Sequence, residues 1–287
     1  MARMTRTMFR SLGRIFPDCV TLGQAIAFNM FLAFFPILLV ALGLVTGIPS
    51  LHDAIREIPD RLNLILPASS TQVVSDYFLR RGTHPVRWIL LGLGGTLIAG
   101  SQVMVGFIEG FRMVEGDLIT AGYWRRHLRA LLLLCVTIIP ALAVLTLTIF
   151  GKSTRAWLTQ RTGAPNYIVH DLAILGYAGV VFVLAMIVLV ALYRIGRPGH
   201  AGVAAVFPGA AMATILWWLA DVIFGFYVRR VPYNVVYGGL AAAIGLLLWM
   251  YLTAMIVLFG AAYNAEDREA RGEERAILSH QVISRSR

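Results

Sequence analysis

One carboxylate lies well inside a long apolar segment of the chain. Asp221 stands in the run WWLADVIF, which covers positions 217–224. An ionised side chain near the centre of a membrane-spanning helix costs roughly 2.5–3.5 kcal/mol, so such a residue usually faces a wet cavity or a cationic partner. The pattern indicates that Asp221 contacts a lipid headgroup or takes part in proton coupling, or that it pairs structurally with Arg229 or Arg230. The sequence leaves both interpretations open.

Uncharged polar side chains occur in two other apolar segments, Gln24 and Asn29 in the first and Gln102 in the second. Each can hydrogen-bond to a neighbouring helix and stabilise packing. Together with Asp221, these residues can also line the polar part of a path through the membrane. We take the four as candidates for that path, with helix packing as the alternative for each amide.

Two adjacent arginines follow the segment that contains Asp221. Arg229 and Arg230 are followed closely by Tyr233 and Tyr237. The guanidinium group suits phosphate, and tyrosine is enriched at the membrane–water interface. The four side chains are therefore predicted to meet headgroup phosphate at the outer mouth of the path. The alternative is that the arginine pair only anchors the hairpin in the interface.

Six long apolar segments must position these residues. Each is about as long as the ~20 residues that a helix needs to cross a bilayer core of ~30 Å. Hydrophobic residues make up 58% of the 287 positions and charged residues 14%, which excludes a sizeable soluble domain. We predict an all-α polytopic membrane protein with six transmembrane helices. The segments are Thr21–Thr46, Trp88–Ile108, Leu128–Phe150, Leu172–Tyr193, Ala201–Val228 and Gly238–Ala262.

Prolines, which interrupt helices, and glycines are frequent within the apolar segments. Proline bends a helix by removing a hydrogen bond, so helix kinks are expected at Pro36, Pro140 and Pro208. Glycine lets helices approach closely. We expect this along the second segment, at positions 92, 94, 95, 100, 106 and 110.

The basic residues predict the orientation. With both termini in the cytoplasm of a bacterium, 15 basic residues lie on that side of the inner membrane and 10 on the other, in agreement with the positive-inside rule. The net charge of +10 then indicates contact with lipid phosphate, and no nucleic-acid partner is expected.

Three regions flank or interrupt the helices. Residues 1–20 form a basic amphipathic segment predicted to lie in the interface. Residues 21–264 form the transmembrane domain, whose outer loop 47–87 carries apolar residues at helical spacing and is predicted to form short amphipathic helices. Residues 265–287 form a charged cytoplasmic tail, predicted to extend the last helix and to fray by Ser279.

Signatures of catalysis are missing from the sequence. The six histidines are scattered singly, and neither a hydrolase motif nor an acidic cluster suited to two metal ions occurs. We therefore predict no catalytic residue, no metal and no cofactor. Cys19 and Cys135 are expected not to form a disulfide. Glu109 and Arg112, three residues apart, are expected to form a local ion pair.

The last third of the chain contains several short motifs in a definite order. They are Pro208-Gly209-Ala210, Phe224 to Tyr227, Tyr237-Gly238, Leu247-Leu248-Trp249-Met250-Tyr251 and Gly260-Ala261-Ala262-Tyr263-Asn264. This order resembles the YihY/BrkB family of inner-membrane proteins. The first segment, with Ala27-Phe28-Asn29 and Phe35-Pro36, is also similar to that family.

The chain departs from the family pattern at two places. Ala262 stands where the family usually has a glutamate, so no role of that carboxylate carries over. The asparagine often found at the end of the second span has no counterpart in the stretch 109–113.

The resemblance implies a six-helix protein connected with envelope integrity and with lipid movement at the inner membrane. The leading hypothesis is translocation or transfer of a phospholipid or lipid-like amphiphile, with membrane lipids and an envelope lipid-transfer or scaffold protein as partners. The alternative is a non-transporting scaffold that docks an envelope protein through the 47–87 loop. A remote alternative is a membrane-associated ribonuclease, because some family members carry the older label "ribonuclease BN".

Overall fold

The computed structural model describes residues 11, 13, 18–47, 85–116, 122–162, 166–197, 202–230 and 239–285. The interfacial segment 1–20 and the outer loop 47–87 fall almost entirely outside these residues, as do Tyr233 and Tyr237.

Six α-helices, and no strand, make up the part of the chain that the structure describes. Each helix contains a span that is long and apolar enough to cross a membrane, which confirms the predicted fold class. The helices are α1 (Asp18–Gly47), α2 (Pro85–Glu115), α3 (Tyr123–Thr162), α4 (Asn166–Gly196), α5 (Val203–Arg230) and α6 (Gly239–Arg285).

All the helices except α5 are longer than the apolar segments predicted for them. The last one continues from its apolar span through the charged tail, as predicted, but it runs to Arg285, past the end expected near Ser279. An Asp267–Arg271 pair one turn apart, at 2.8 Å, supports this extension. Pro36, Pro140 and Pro208 lie inside the continuous helices α1, α3 and α5.

Only residues 116–122 separate α2 from α3. Gly116 has a φ of 69° after the end of α2, and its N–H donates to the carbonyl of Met113 at 3.1 Å. A glycine in this left-handed conformation is a common helix terminator, since it avoids the clash of a Cβ atom. The next helix, α3, begins at Tyr123.

Two compact units divide the helices between them. The first comprises Met1–Thr21, Phe107–Ala220 and Met255–Arg287, and the second comprises Leu22–Gly106 and Asp221–Ala254. The buried centre of the first unit includes Phe111, Leu133 and Leu258. Helices α1, α2, α5 and α6 each contribute residues to both units.

Close approach of α1 and α2 organises the second unit. A Cβ atom added to Gly92 would lie 2.8 Å from Val40 and 2.9 Å from the Pro36 carbonyl oxygen, and one added to Gly95 would lie 2.9 Å from the Pro36 side chain. These glycines therefore allow backbone contact that any side chain would prevent. The expected role of small residues along α2 is confirmed at these positions.

Candidate functional site

A groove of about 970 Å³ runs along α4 in the first unit. Its floor is a stripe of α4 residues that recur every three or four positions, the spacing of one helix face. The stripe includes Val183, Ile187, Val190, Arg194 and Arg197. At 1.5 Å per residue it extends about 21 Å, which is more than half of the ~30 Å thickness of a bilayer core.

The walls of the groove come from the two neighbouring helices. Val203 and Phe207 from the first turns of α5 form an apolar wall, and Arg129 comes from α3. Val183, Ile187, Val203 and Phe207 are each about half exposed, so the groove is open along one side. Its lining is mainly aliphatic, and its polar side chains are cationic.

Three arginines, Arg129, Arg194 and Arg197, define what we call the arginine end of the groove. Two of them stand at the end of α4, whose apolar span closes at Gly196. Cations are favourable at a helix C-terminus and at the level of lipid headgroups. The site therefore presents an apolar groove along the membrane span of α4 and positive charge where that span ends.

A charge cluster lies directly behind Arg197. Glu115 Oε1 lies 2.9 Å from Arg197 Nε and 2.6 Å from Arg268 Nη2. The three side chains are between 14% and 26% exposed, so they are largely withdrawn from water. The cluster joins the ends of α2 and α4 to α6 and holds Arg197 in one orientation. It carries a net charge of +1, because one carboxylate serves two guanidinium groups.

A second ion pair at the same end of α2 corrects the sequence prediction. Glu109 contacts Arg126 of α3 at 2.5 Å, and not Arg112 as expected. The short connection between α2 and α3 brings the first turns of α3 beside the last turns of α2. A partner on the facing helix is then closer to the carboxylate than the residue three positions further along its own helix.

The start of α5, which provides the apolar wall, is tied to α6 by a buried amide. Asn264 Oδ1 accepts the N–H of Gly209 at 2.7 Å, and Asn264 Nδ2 donates to the carbonyl of Val206 at 3.0 Å. Pro208 between them has no N–H and disturbs the helical bonding around it. The Asn264 side chain satisfies backbone groups on both sides of this proline.

Two glycines allow the same helices to touch. A Cβ atom added to Gly209 would overlap the carbonyl oxygen of Gly260. A Cβ atom added to Gly260 would overlap the hydroxyl of Tyr193 and lie 2.8 Å from Ala213. The Tyr193 hydroxyl in turn donates to the carbonyl of Val257 at 2.8 Å. Helices α4, α5 and α6 are therefore fixed together next to the groove.

Asn264→Ala is expected to lower the free energy of unfolding by about 3 kcal/mol, because two buried backbone groups lose their partner. Chemical or thermal unfolding of the purified protein measures this loss. Thr214→Val is the control, since that buried hydroxyl bonds only the carbonyl of Ala210 in its own helix. Equal losses in the two variants would contradict a special role for Asn264.

The residues singled out from the sequence lie elsewhere. Gln24, Gln102 and Asp221 are exposed and Asn29 is half-buried, all within the second unit. Among the residues that the structure describes, none of these four side chains has a hydrogen bond or an ion pair. Arg229 and Arg230 end α5, and their side chains lie outside the described residues.

The sequence did not predict the groove. Its three arginines served only to predict the orientation of the chain in the membrane. A stripe ending in Arg194 and Arg197 is visible in the sequence, but the stretch 172–193 of α4 is apolar on every face, so the stripe does not stand out. In the described part of the chain, no group of three histidine, cysteine, aspartate or glutamate residues is placed to hold a metal ion, and no disulfide joins Cys19 and Cys135.

Comparison with known proteins places the chain in a family. The family model described as virulence factor BrkB matches residues 16–282. The chain belongs to the BrkB family. This confirms the resemblance seen in the sequence, and the structure now explains part of the family pattern. Pro208, Gly209 and Asn264 act together where α5 crosses α6, and Ala262, at the position of the usual glutamate, is fully buried.

Individual relatives are similar over most of the chain. A putative ribonuclease-like protein YfkH of Bacillus subtilis (strain 168) is 24% identical over 84% of this chain and 86% of its own length. A UPF0761 membrane protein of Azoarcus sp. (strain BH72) is 26% identical over 91% of this chain. The chain spans 63% of that relative and 54% of another UPF0761 protein, from Alkalilimnicola ehrlichii. No solved structure matches the chain.

Proposed function

We propose that this BrkB-family protein translocates or hands over a phospholipid or lipid-like amphiphile at the bacterial inner membrane, with both termini in the cytoplasm, and that it thereby contributes to envelope integrity. The observation that carries the proposal is the groove along α4. Its aliphatic lining suits an acyl chain, and its arginine end suits a headgroup phosphate. No catalytic residue is part of the proposal.

The geometry fits an amphiphile better than a soluble ligand. A pocket for a soluble molecule usually encloses most of its ligand, whereas this groove is open along its length. An open side lets an acyl chain remain in contact with the hydrocarbon layer while its headgroup is held. The change from aliphatic to cationic lining coincides with the end of the membrane span of α4 at Gly196.

A headgroup that crosses the membrane also needs polar contacts within the hydrocarbon layer. Asp221, Gln24, Asn29 and Gln102 are the residues that we propose for this part of the path. Asp221 is exposed within the span Val203–Tyr227. A carboxylate on the outer surface of such a span is expensive unless it meets water or a polar group. Transient contact with a headgroup supplies that polar group.

Exchange of a fluorescent phospholipid between the leaflets of liposomes tests the proposal. We expect the wild-type protein to accelerate exchange at least about tenfold over protein-free liposomes, and Asp221→Ala to lose most of this gain, an effect of about 1.4 kcal/mol or more. Glu269→Ala is the matched control, because it removes an exposed carboxylate from the charged end of α6.

The possible outcomes separate the function from the path. No exchange by the wild type, with several headgroups tried, would overturn the proposed function and favour a scaffold that docks through the 47–87 loop. Normal exchange by a folded Asp221→Ala variant would remove Asp221 from the path and leave the function standing. The ribonuclease-like name of the B. subtilis relative is checked on the same preparation by incubation with RNA and Mg²⁺.

A further inference from the structure

We infer that the arginine end of the groove selects an anionic phospholipid headgroup over a zwitterionic one, through Arg129 and Arg194. The inference rests on the proposed function and names the lipid class that the groove would hold. It starts from the different surroundings of the three arginines, all of which line one groove.

Arg197 is held by protein, whereas the other two arginines are not. Its guanidinium lies against Glu115, which also binds Arg268. Arg129 and Arg194 have no ion pair and no hydrogen bond among the residues that the structure describes. The other carboxylate near the end of α2, that of Glu109, is engaged by Arg126. Neither α2 carboxylate is therefore left to neutralise Arg129 or Arg194.

The setting of Arg129 strengthens the effect of its charge, whereas Arg194 is exposed. Arg129 is half-buried beside an aliphatic lining, where the effective dielectric constant is lower than in bulk water and charges interact more strongly. The cluster behind Arg197 adds a further net positive charge. An anion at the arginine end therefore meets two unneutralised guanidinium groups, which can bind phosphate oxygens in pairs.

Headgroup chemistry then decides between membrane lipids. A phosphatidylethanolamine headgroup brings its own ammonium close to the phosphate, and that ammonium would be repelled by the two arginines. A phosphatidylglycerol headgroup carries the same phosphodiester with neutral hydroxyl groups, which can accept hydrogen bonds. The arrangement therefore favours phosphatidylglycerol. The aliphatic stripe would bind the acyl chains of both lipids equally well.

Lipid binding to the full-length purified protein tests the inference. The protein in detergent is titrated with phosphatidylglycerol and with phosphatidylethanolamine of identical acyl chains, and bound lipids are counted by native mass spectrometry. We expect phosphatidylglycerol to bind about thirtyfold more tightly, as two basic residues near a lipid headgroup would give. The double variant R129Q/R194Q should bind the two lipids equally.

A matched variant separates the groove from general attraction to positive charge. R112Q/R125Q removes the same charge from the ends of α2 and α3 but leaves the groove lining intact, so it should keep the preference. R129K/R194K, which keeps the charge, should keep most of the preference. The equal binding of both lipids expected from R129Q/R194Q itself shows that the glutamine variant is not simply unfolded. Equal binding of both lipids by the wild type, or equal loss in the two glutamine variants, would overturn the inference.

The experiment also distinguishes this inference from the proposed function. If lipid binding shows a headgroup preference that depends on Arg129 and Arg194, but the liposome assay shows no exchange between leaflets, the binding site stands and the transport function is wrong. If the liposome assay shows exchange but binding shows no such preference, the transport function stands and the selectivity is wrong.

Discussion

Gly260→Ala is expected to lower the free energy of unfolding by about 3 kcal/mol, the upper part of the range for forcing extra atoms into a packed core. The added Cβ atom would overlap the hydroxyl of Tyr193 and lie 2.8 Å from both Ala213 and the carbonyl oxygen of Gly209. Contacts under 3.0 Å are essentially never made by real Cβ atoms. One of the obstructing atoms belongs to backbone, which cannot rotate away.

Unfolding of the purified protein by heat or by a denaturing detergent measures this effect. Gly245→Ala is the matched control on the same helix, because nothing lies within 4 Å of a Cβ atom added there. Alanine favours helix over glycine, so the control should be neutral or slightly stabilising. A similar loss in both variants would mean that the α5–α6 contact is looser than its geometry indicates.

Ala191→Trp is expected to reduce lipid exchange at least about tenfold, since a chain forced past the indole would meet a steric cost of 1–3 kcal/mol, roughly the tenfold scale. Ala191 lies in the groove lining between Ile187 and Arg194. A large aromatic side chain there would obstruct the aliphatic stripe but leave the arginine end unchanged. The liposome exchange assay described for Asp221 measures the effect.

The control for this substitution is Leu175→Trp on the same helix. Leu175 is 74% exposed and is not part of the groove lining, so the same bulky residue should leave exchange unchanged there. If the folded Ala191→Trp variant exchanges lipid at the wild-type rate, lipid does not pass along the groove.

The helices could be predicted from the sequence because a bilayer leaves few choices. A backbone in hydrocarbon must satisfy its own hydrogen bonds, so an apolar segment of about 20 residues becomes a helix. The ends of the helices were less predictable. The last helix runs on to Arg285, past Ser279, where fraying is predicted. Its tail includes the pair Asp267–Arg271 one turn apart, which hydropathy alone does not reveal.

The partners of charged residues were the weakest part of the prediction. The local pair of Glu109 with Arg112 was wrong, since Arg126 on the next helix is the partner. Glu115 and Arg268 are 153 positions apart in the chain, and Asn264 lies 55 positions from Gly209. Contacts of this kind depend on which helix faces form the interior, and in helices that are apolar all round no pattern marks those faces.

The sequence by itself determined that this chain forms six membrane-spanning helices of the BrkB family, because length, apolar composition and a short series of motifs suffice for both. Only the tertiary structure decided which charges are neutralised. It placed Glu115 against Arg197 and Arg268 and left Arg129 and Arg194 without an acidic partner in the described part of the chain. Electrostatic interactions fall with distance and depend on burial, so the same arginines are indistinguishable in the sequence and different in the folded protein.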